Sequence, residues 1–366
     1  MALSRINANS ITDDSITVDQ IADTAVHGRR NLIINGAMQV AQRGTSNTGK
    51  TTSHFVTDRF DFEITTAGTW TTSQSSTSPA QFSNSLKADC TTADSSLASG
   101  DLLRIVYLFE GQDMQHLLYG ESTAKALILS FWVRSNKTGT YNIQFQQADN
   151  SYKQVTKSFT IDTADTWEQK EVTIPGDTAG VINNDNGEGF RICWVLAAGS
   201  TFTGGSERST WTTFANADVA PTQTVNLADN TSNEFYLTGV QLEIGDKATP
   251  FEYRSFGEEL RLCQRYYEDS GGGNQYSFSG NTSGFGGNTY FDSADFKVTK
   301  RAVPTITITD TSGNSGRMTV FQGATGYDNQ QVFFETTRVN AFSPRTGGGR
   351  TDAGLGRAIW EADAEL

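Results

Sequence analysis

An all-β fold, a sandwich of antiparallel sheets, is what this sequence predicts, on three observations. Apolar and polar residues alternate over short runs. In TYNIQFQQ, Tyr141, Ile143 and Phe145 fall on one face, and Asn142, Gln144 and Gln146 on the other. Such runs recur at short spacing, separated by turns rich in Gly, Asn, Asp and Thr. Composition agrees, since 35 Gly provide turns while 22 Phe, 11 Tyr and 6 Trp provide a core.

Residues 1–30 stand apart. Ile6, Ile11, Ile16, Ile21 and Val26 recur every five residues among Asn, Asp, Ser and Thr. A step of five fits neither one helix face nor one strand face. The segment is either a frayed tail or a stretch that orders against partner copies or another protein. From residue 31 to 254 strands follow one another. NLIINGAMQV is expected to open the block, followed by DRFDFEI, DLLRIVYLFE, ALILSFWVRS, TYNIQFQQA, KQVTKSFTI, WEQKEVTIP, GFRICWVLAA and EFYLTGVQLEI. In ALILSFWVR the inward set is Leu127, Leu129, Phe131 and Val133, leaving Ile128, Ser130, Trp132 and Arg134 outward. Residues 255–269, SFGEELRLCQRYYED, predict the one helix, with Ser255 as cap and Glu258 three residues on. Residues 270–366 read as a smaller Gly-rich β-domain containing TYFDSADFKV, AVPTITITD, RMTVFQG and QVFFETTRV.

Charge and cysteine usage exclude several classes of function. The net charge of -13 repels phosphate backbones, so neither nucleic acid nor an anionic membrane is an expected partner. Lys297, Lys300 and Arg301 form one small basic cluster, read as a solvated strand edge. Cys90, Cys193 and Cys263 are an odd number, far apart and without a CxxC pair, so neither a zinc site nor a disulfide framework is expected. Cys193 and Cys263 sit in apolar contexts that suggest burial. No apolar run approaches a membrane span and no apolar leader opens the chain, so membrane insertion and secretion by a signal of that type are not expected.

Residues Gly44–Thr51, GTSNTGKT, match the phosphate-binding loop G-x-x-x-x-G-K-[ST] letter for letter. A working loop opens a helix whose N-terminus holds the anion. Here TTSHFVTDRFDFEI follows, β-branched and aromatic, with no helical period. The match is read as chance, Lys50 as a loop lysine, and no nucleotide site is expected. His27, His54 and His116 lack metal-ligand spacing, and no G-x-S-x-G elbow is present. Carboxylates such as Asp61 are common, but none pairs with another across an evident groove. No cofactor, metal or catalytic residue is therefore expected.

NLIINGAMQVAQRGT followed by VTDRFDF resembles phage tail-fibre and other virion proteins with a carbohydrate-binding-type jelly roll. LILSFWVRSNKTGTYNIQF resembles the central strands of such modules, and VQLEIGDKATPFEYRSFGEELRLCQRYY their closing strand and the helix leading onward. FKVTKRAVPTITIT and EADAEL resemble the distal domains of these fibres. The resemblance implies a jelly-roll sandwich over 31–254, a connecting helix over 255–269 and a distal β-domain over 270–366. It also implies a non-enzymatic homotrimer in the virion that contacts host surface polysaccharide, with residues 1–30 attaching it to tail or baseplate proteins. Relatives of this general type often hold calcium through acids in the opening and closing strands. Ala37, Gln39, Thr238 and Gly239 stand at the matching places, so no metal is expected. A purely structural adaptor or spacer in the virion is the alternative reading.

Sugars present C–H faces to aromatic rings and hydroxyls to planar amides and guanidiniums. Trp132, Arg134, Asn142, Gln144 and Gln146 are accordingly the glycan-binding candidates, on the expectation that one sheet face carries all five. The same pattern fits a face where Trp132 packs against a neighbouring subunit or loop and the glutamines are solvated. Trp70, Trp167, Trp194 and Trp211 are expected as core or loop anchors, and Asp58 with Arg59 as ties for a loop. The Gly-rich loops Gly271–Gly273, Ser279–Gly287 and Gly347–Gly356 would shape specificity if the distal domain reads the receptor.

Overall fold

A computed structural model describes residues 29–271, 275–281, 289–347 and 353–366. The expectations placed on Ile6, Ile11, Ile16, Ile21 and Val26 lie outside these residues, as does much of the three Gly-rich loops.

The predicted sandwich is present. One antiparallel sheet has the order β1 (Ser46–Lys50), β4 (Thr69–Ser75), β5 (Ser85–Thr92), β13 (Glu234–Ile244), β7 (Leu127–Ser135) and β10 (Glu168–Ile174). The other runs β12 (Arg208–Thr212), β9 (Lys153–Ile161), β8 (Gly139–Gln147), β11 (Glu188–Ala198), β6 (Leu102–Glu110), β3 (Phe60–Thr65) and β2 (His54–Thr57). The inward set of β7 is the expected one, Leu127, Leu129, Phe131 and Val133. From the second sheet Phe60, Phe62, Tyr107, Tyr141, Phe145 and Trp194 meet it. Phe131 stands edge-on to Trp194 at 5.9 Å, and Phe62 to Trp70 at 5.5 Å. Each buried aromatic contributes about 1.5–3 kcal/mol through removal from water.

Three local expectations fail. NLIINGAMQV forms no strand. Asn35 and Met38 take positive φ, 62° and 55°, which breaks any extended run. The buried Asn35 amide holds the turn together: it accepts from Val40 N and donates to Val40 O and Asp58 O, each at 2.9 Å. The helix α1 spans only Phe256–Gln264, capped as expected by Ser255, whose hydroxyl accepts from Glu258 N. It stops early because Tyr267–Asp269 (β14) is recruited into the distal sheet, where Tyr267 pairs with Asp363. Nor is Lys300 solvated. It is 1% exposed, and its Nζ donates to Glu268 Oε2 at 2.6 Å and to Gln264 O at 2.5 Å.

The distal strands are β15 (Tyr276–Asn281), β16 (Thr289–Phe291), β17 (Ala294–Asp295), β18 (Thr305–Thr309), β19 (Arg317–Gln322), β20 (Thr325–Thr337), β21 (Ala341–Thr346) and β22 (Ala353–Asp363). Antiparallel pairing runs from β22 through β15, β16, β21, β20 and β19 and back to β22, closing a ring. This ring encloses a second apolar core that includes Phe278, Phe291, Phe342 and Trp360. Arginines join the two cores. Arg265 donates from Nε and Nη2 to the two oxygens of Glu110, at 2.6 and 2.7 Å. Arg43 reaches Asp363 and Glu365, and Arg59 also pairs with Glu365. Arg59 thus ties the sandwich to the residues after β22, and Asp58 ties a neighbouring loop by accepting at Oδ1 from Gln42 N.

The Gly44–Thr51 stretch contributes β1, and the next element is the strand β2. No helix N-terminus follows to receive a phosphate.

Candidate functional site

The five residues expected on one sheet face do not share one. β7 lies in the six-stranded sheet and β8 in the seven-stranded sheet, so their outward side chains point away from opposite sides of the sandwich. Trp132 is half-buried, and Arg134 is tied to Asp165 through Nε to its carbonyl and Nη2 to its carboxylate, both at 2.9 Å. Asn142, Gln144 and Gln146 are all buried, not solvated. Two of them hold structure. Asn142 donates to Thr222 Oγ1 at 2.9 Å and to Lys157 O at 3.1 Å, pinning the segment that follows β12. Gln144 donates to Gln154 Oε1 at 2.5 Å, while its own Oε1 has no partner among the described residues.

Gln146 is different. It is 3% exposed, its side-chain amide bonds none of the described residues, and it lines an open groove of about 190 Å³ with Arg104, Arg191, Tyr152 and Phe214. Register explains the grouping. Arg191 of β11 stands opposite Gln146 of β8, and Arg104 of β6 stands opposite Val195, further along β11 on the same face. The walls come from loops. Tyr152 and Phe214 are 40% and 39% exposed. Tyr152 closes the β8–β9 connection and lies under the Arg191 guanidinium, 4.8 Å from ring centre to Cζ.

That connection is strained. Ser151 and Tyr152 are consecutive and both left-handed, with φ of 54° and 56°. For residues carrying a Cβ this conformation costs about 1–2 kcal/mol each. Neighbouring contacts enforce it: Lys153 donates to both oxygens of Asp177, at 2.8 and 2.6 Å, and Asn150 donates to Val181 O at 2.7 Å. The outcome is an aromatic ring held at the groove edge.

Both arginines carry glutamate partners. Arg104 directs Nε and Nη2 to Glu63 Oε2, each at 2.6 Å. Arg191 binds Glu188 side-on, through Nε and Nη2. Burial opposes the charge on each guanidinium, but the neighbouring glutamates outweigh it and both stay protonated. On the same sheet face, Asp61 has its carboxyl pushed up to about 6 by burial and by the charges of Glu63 and Glu365. Its Oδ1 has no hydrogen-bond partner among the described residues.

Sequence reasoning found Gln146 and missed the rest. Arg104 and Arg191 were legible as outward positions of DLLRIVYLFE and GFRICWVLAA, where one arginine interrupts each apolar run. Nothing local marks Tyr152 or Phe214. Trp70 and Trp194 are core residues, and Trp211 anchors a loop by donating from Nε1 to Pro175 O at 2.7 Å. Among the described residues no group of three or more His, Cys, Asp or Glu is placed to hold a metal ion. No helix among them is long and apolar enough to cross a membrane. All three cysteines are free and buried.

No protein-family profile matches the chain, and no curated protein sequence does. Among solved structures, the enzymatically active domain of tailspike protein 4 of bacteriophage CBA120 is similar at 10% identity and a TM-score of 0.31. That match covers 59% of this chain and 21% of the tailspike chain. The family 11 carbohydrate-binding module of a Clostridium thermocellum cellulosomal cellulase is similar at 12% identity and TM-score 0.29, over 55% of this chain and 99% of that one. A xylan-binding domain of carbohydrate-binding module family 22 is similar at 13% identity and TM-score 0.28, over 56% and 97%. Likeness at this level says nothing of what the groove binds.

Proposed function

We propose that this chain is a glycan-recognition protein and that the groove on the seven-stranded sheet is where it binds sugar. One observation carries the reading: the Gln146 side-chain amide, which bonds none of the described residues, opens into a groove walled by two exposed aromatic rings. An amide that opens into a groove without a bond to the protein exchanges its water for a ligand hydroxyl at little cost. Gln146 supplies a donor and an acceptor, Arg104 and Arg191 supply further donors, and Tyr152 and Phe214 offer ring faces to C–H groups. Of the five sequence candidates, Gln146 stays in the proposed site. Arg134, Asn142 and Gln144 are assigned structural roles, and Trp132 lies on the other sheet, away from the groove.

The resemblance carried by NLIINGAMQVAQRGT and ELRLCQRYY supports the finer reading of a tail-fibre-type virion component that adsorbs to host surface polysaccharide. Within it we assign the pentad Ile6, Ile11, Ile16, Ile21 and Val26 to attachment to tail or baseplate proteins and to trimer formation. The test is labelling of intact candidate host cells by the purified full chain, beside Tyr152→Ala and a mass measurement in solution. Labelling that Tyr152→Ala abolishes, by a trimeric species, supports the reading. Labelling that survives Tyr152→Ala together with Phe214→Ala moves recognition to another surface. Folded protein that labels no host supports the structural-adaptor alternative.

A further inference from the structure

Resting on that reading, we infer that the groove selects neutral sugar over anionic sugar, and that Glu63 and Glu188 are the residues that set this choice. Two arginines in a sugar groove would ordinarily suggest a ligand bearing carboxylate, sulfate or phosphate, because guanidinium forks match such groups. Here the side-on edge of each is already occupied. Glu63 takes Nε and Nη2 of Arg104, and Glu188 takes the same pair on Arg191. Each side-on edge that would grip an anion is filled by a carboxylate of the protein itself.

The local charge follows. Two arginines and two glutamates cancel, and Asp61 adds a further carboxyl on the same face, ionised above about pH 6. Around the groove the whole protein carries a net charge of -13. An incoming anion therefore meets no net attraction at the site and repulsion from the rest of the surface. Neutral hydroxyls meet the opposite situation. They accept from guanidinium N–H groups and from the Gln146 amide, and donate to the Gln146 carbonyl. The pairs are also inflexible: the four side chains are 15–28% exposed, so rotation away to admit an anion would strand a half-buried glutamate.

The experiment uses the full chain on an array of neutral and anionic oligosaccharides and bacterial polysaccharides at pH 7 and low salt, with affinities for the best members of each class measured in solution. The wild type should bind a neutral member at least tenfold tighter than any anionic one. Glu63→Gln with Glu188→Gln frees both guanidiniums and should shrink or reverse that ratio by tenfold or more. Preference of the wild type for an anionic glycan, lost in Tyr152→Ala, would overturn the selectivity while leaving the groove as the binding site. Failure of the wild type to bind any member would overturn the groove reading and the selectivity with it. The wild-type ratio decides the matter even if the double variant does not fold.

Discussion

Arg59 and Glu365, 306 positions apart in sequence, form an ion pair in which both side chains are almost fully buried, 2% and 5% exposed. The Arg59 guanidinium also lies 3.5 Å from the Tyr266 ring centre and donates from Nη2 to Leu108 O at 2.5 Å. One side chain therefore binds the sandwich, the residues after α1 and the residues after β22.

Removing Glu365 strips the buried Arg59 of its carboxylate, and removing Arg59 leaves the buried Glu365 with Arg43 alone. Glu365→Ala and Arg59→Met should each destabilise the protein by about 3–5 kcal/mol. The double variant Arg59→Met/Glu365→Leu should cost clearly less than the sum, since both charges of the pair are gone and Arg43 keeps Asp363. Denaturant unfolding of the three proteins checks this. Additive losses would mean the pair does not act as a unit.

Asp61 makes stability fall as pH rises. Its folded-state pKa, about 6, lies above the ordinary value of 3.8, so the folded protein holds the proton more tightly than the unfolded chain. The favourable contribution is fully present below pH 4 and disappears as pH climbs through about 6. Asp61→Asn should therefore stabilise at pH 7, by roughly 2–3 kcal/mol at most, and make little difference at pH 4. Thermal unfolding at the two pH values measures it. A variant equally stabilised at both would show that charge is not the cause.

The left-handed pair at the groove separates strain from binding. Ser151→Gly should raise stability by about 1 kcal/mol, since glycine adopts positive φ without cost. Glycan binding should stay unchanged, because Ser151 does not line the groove. Tyr152→Ala should weaken binding by an order of magnitude or more, with stability shifted by less than about 1 kcal/mol, since the ring is 40% exposed. Titration and melting curves on both variants distinguish the two effects.

Gly36 tests the turn that replaced the expected opening strand. A Cβ there would sit 2.1 Å from Val240 O, a backbone atom of β13 that cannot move aside cheaply. Gly36→Ala should cost about 2–3 kcal/mol or more. Stability near that of the wild type would mean the turn is not docked on β13.

What could be read beforehand followed from local periodicity. The inward residues of β7 and β8, the Ser255 cap and the strand rather than helix after Gly44–Thr51 all rest on side-chain period and on nearest neighbours along the chain. The opening turn escaped that reasoning because its conformation is enforced from outside, by Val240 and by Asp58, 209 and 23 positions from the asparagines that bond them. β4 and β5 escaped it too, since TWTTSQS and SLKADCTT carry too few apolar residues to announce a strand.

The site divides the same way. Alternation in TYNIQFQQ by itself determined that Gln146 faces away from the core, because a period of two leaves no other choice. Whether β7 and β8, joined only by residues 136–138, pair as a hairpin or part into opposite sheets was decided by the tertiary structure. Strand partners are chosen by packing between distant segments: β13 and β10 flank β7, while β11 and β9 flank β8. That choice separated Gln146 from Trp132 and brought it beside Arg191, Arg104, Tyr152 and Phe214, which no spacing along the chain connects.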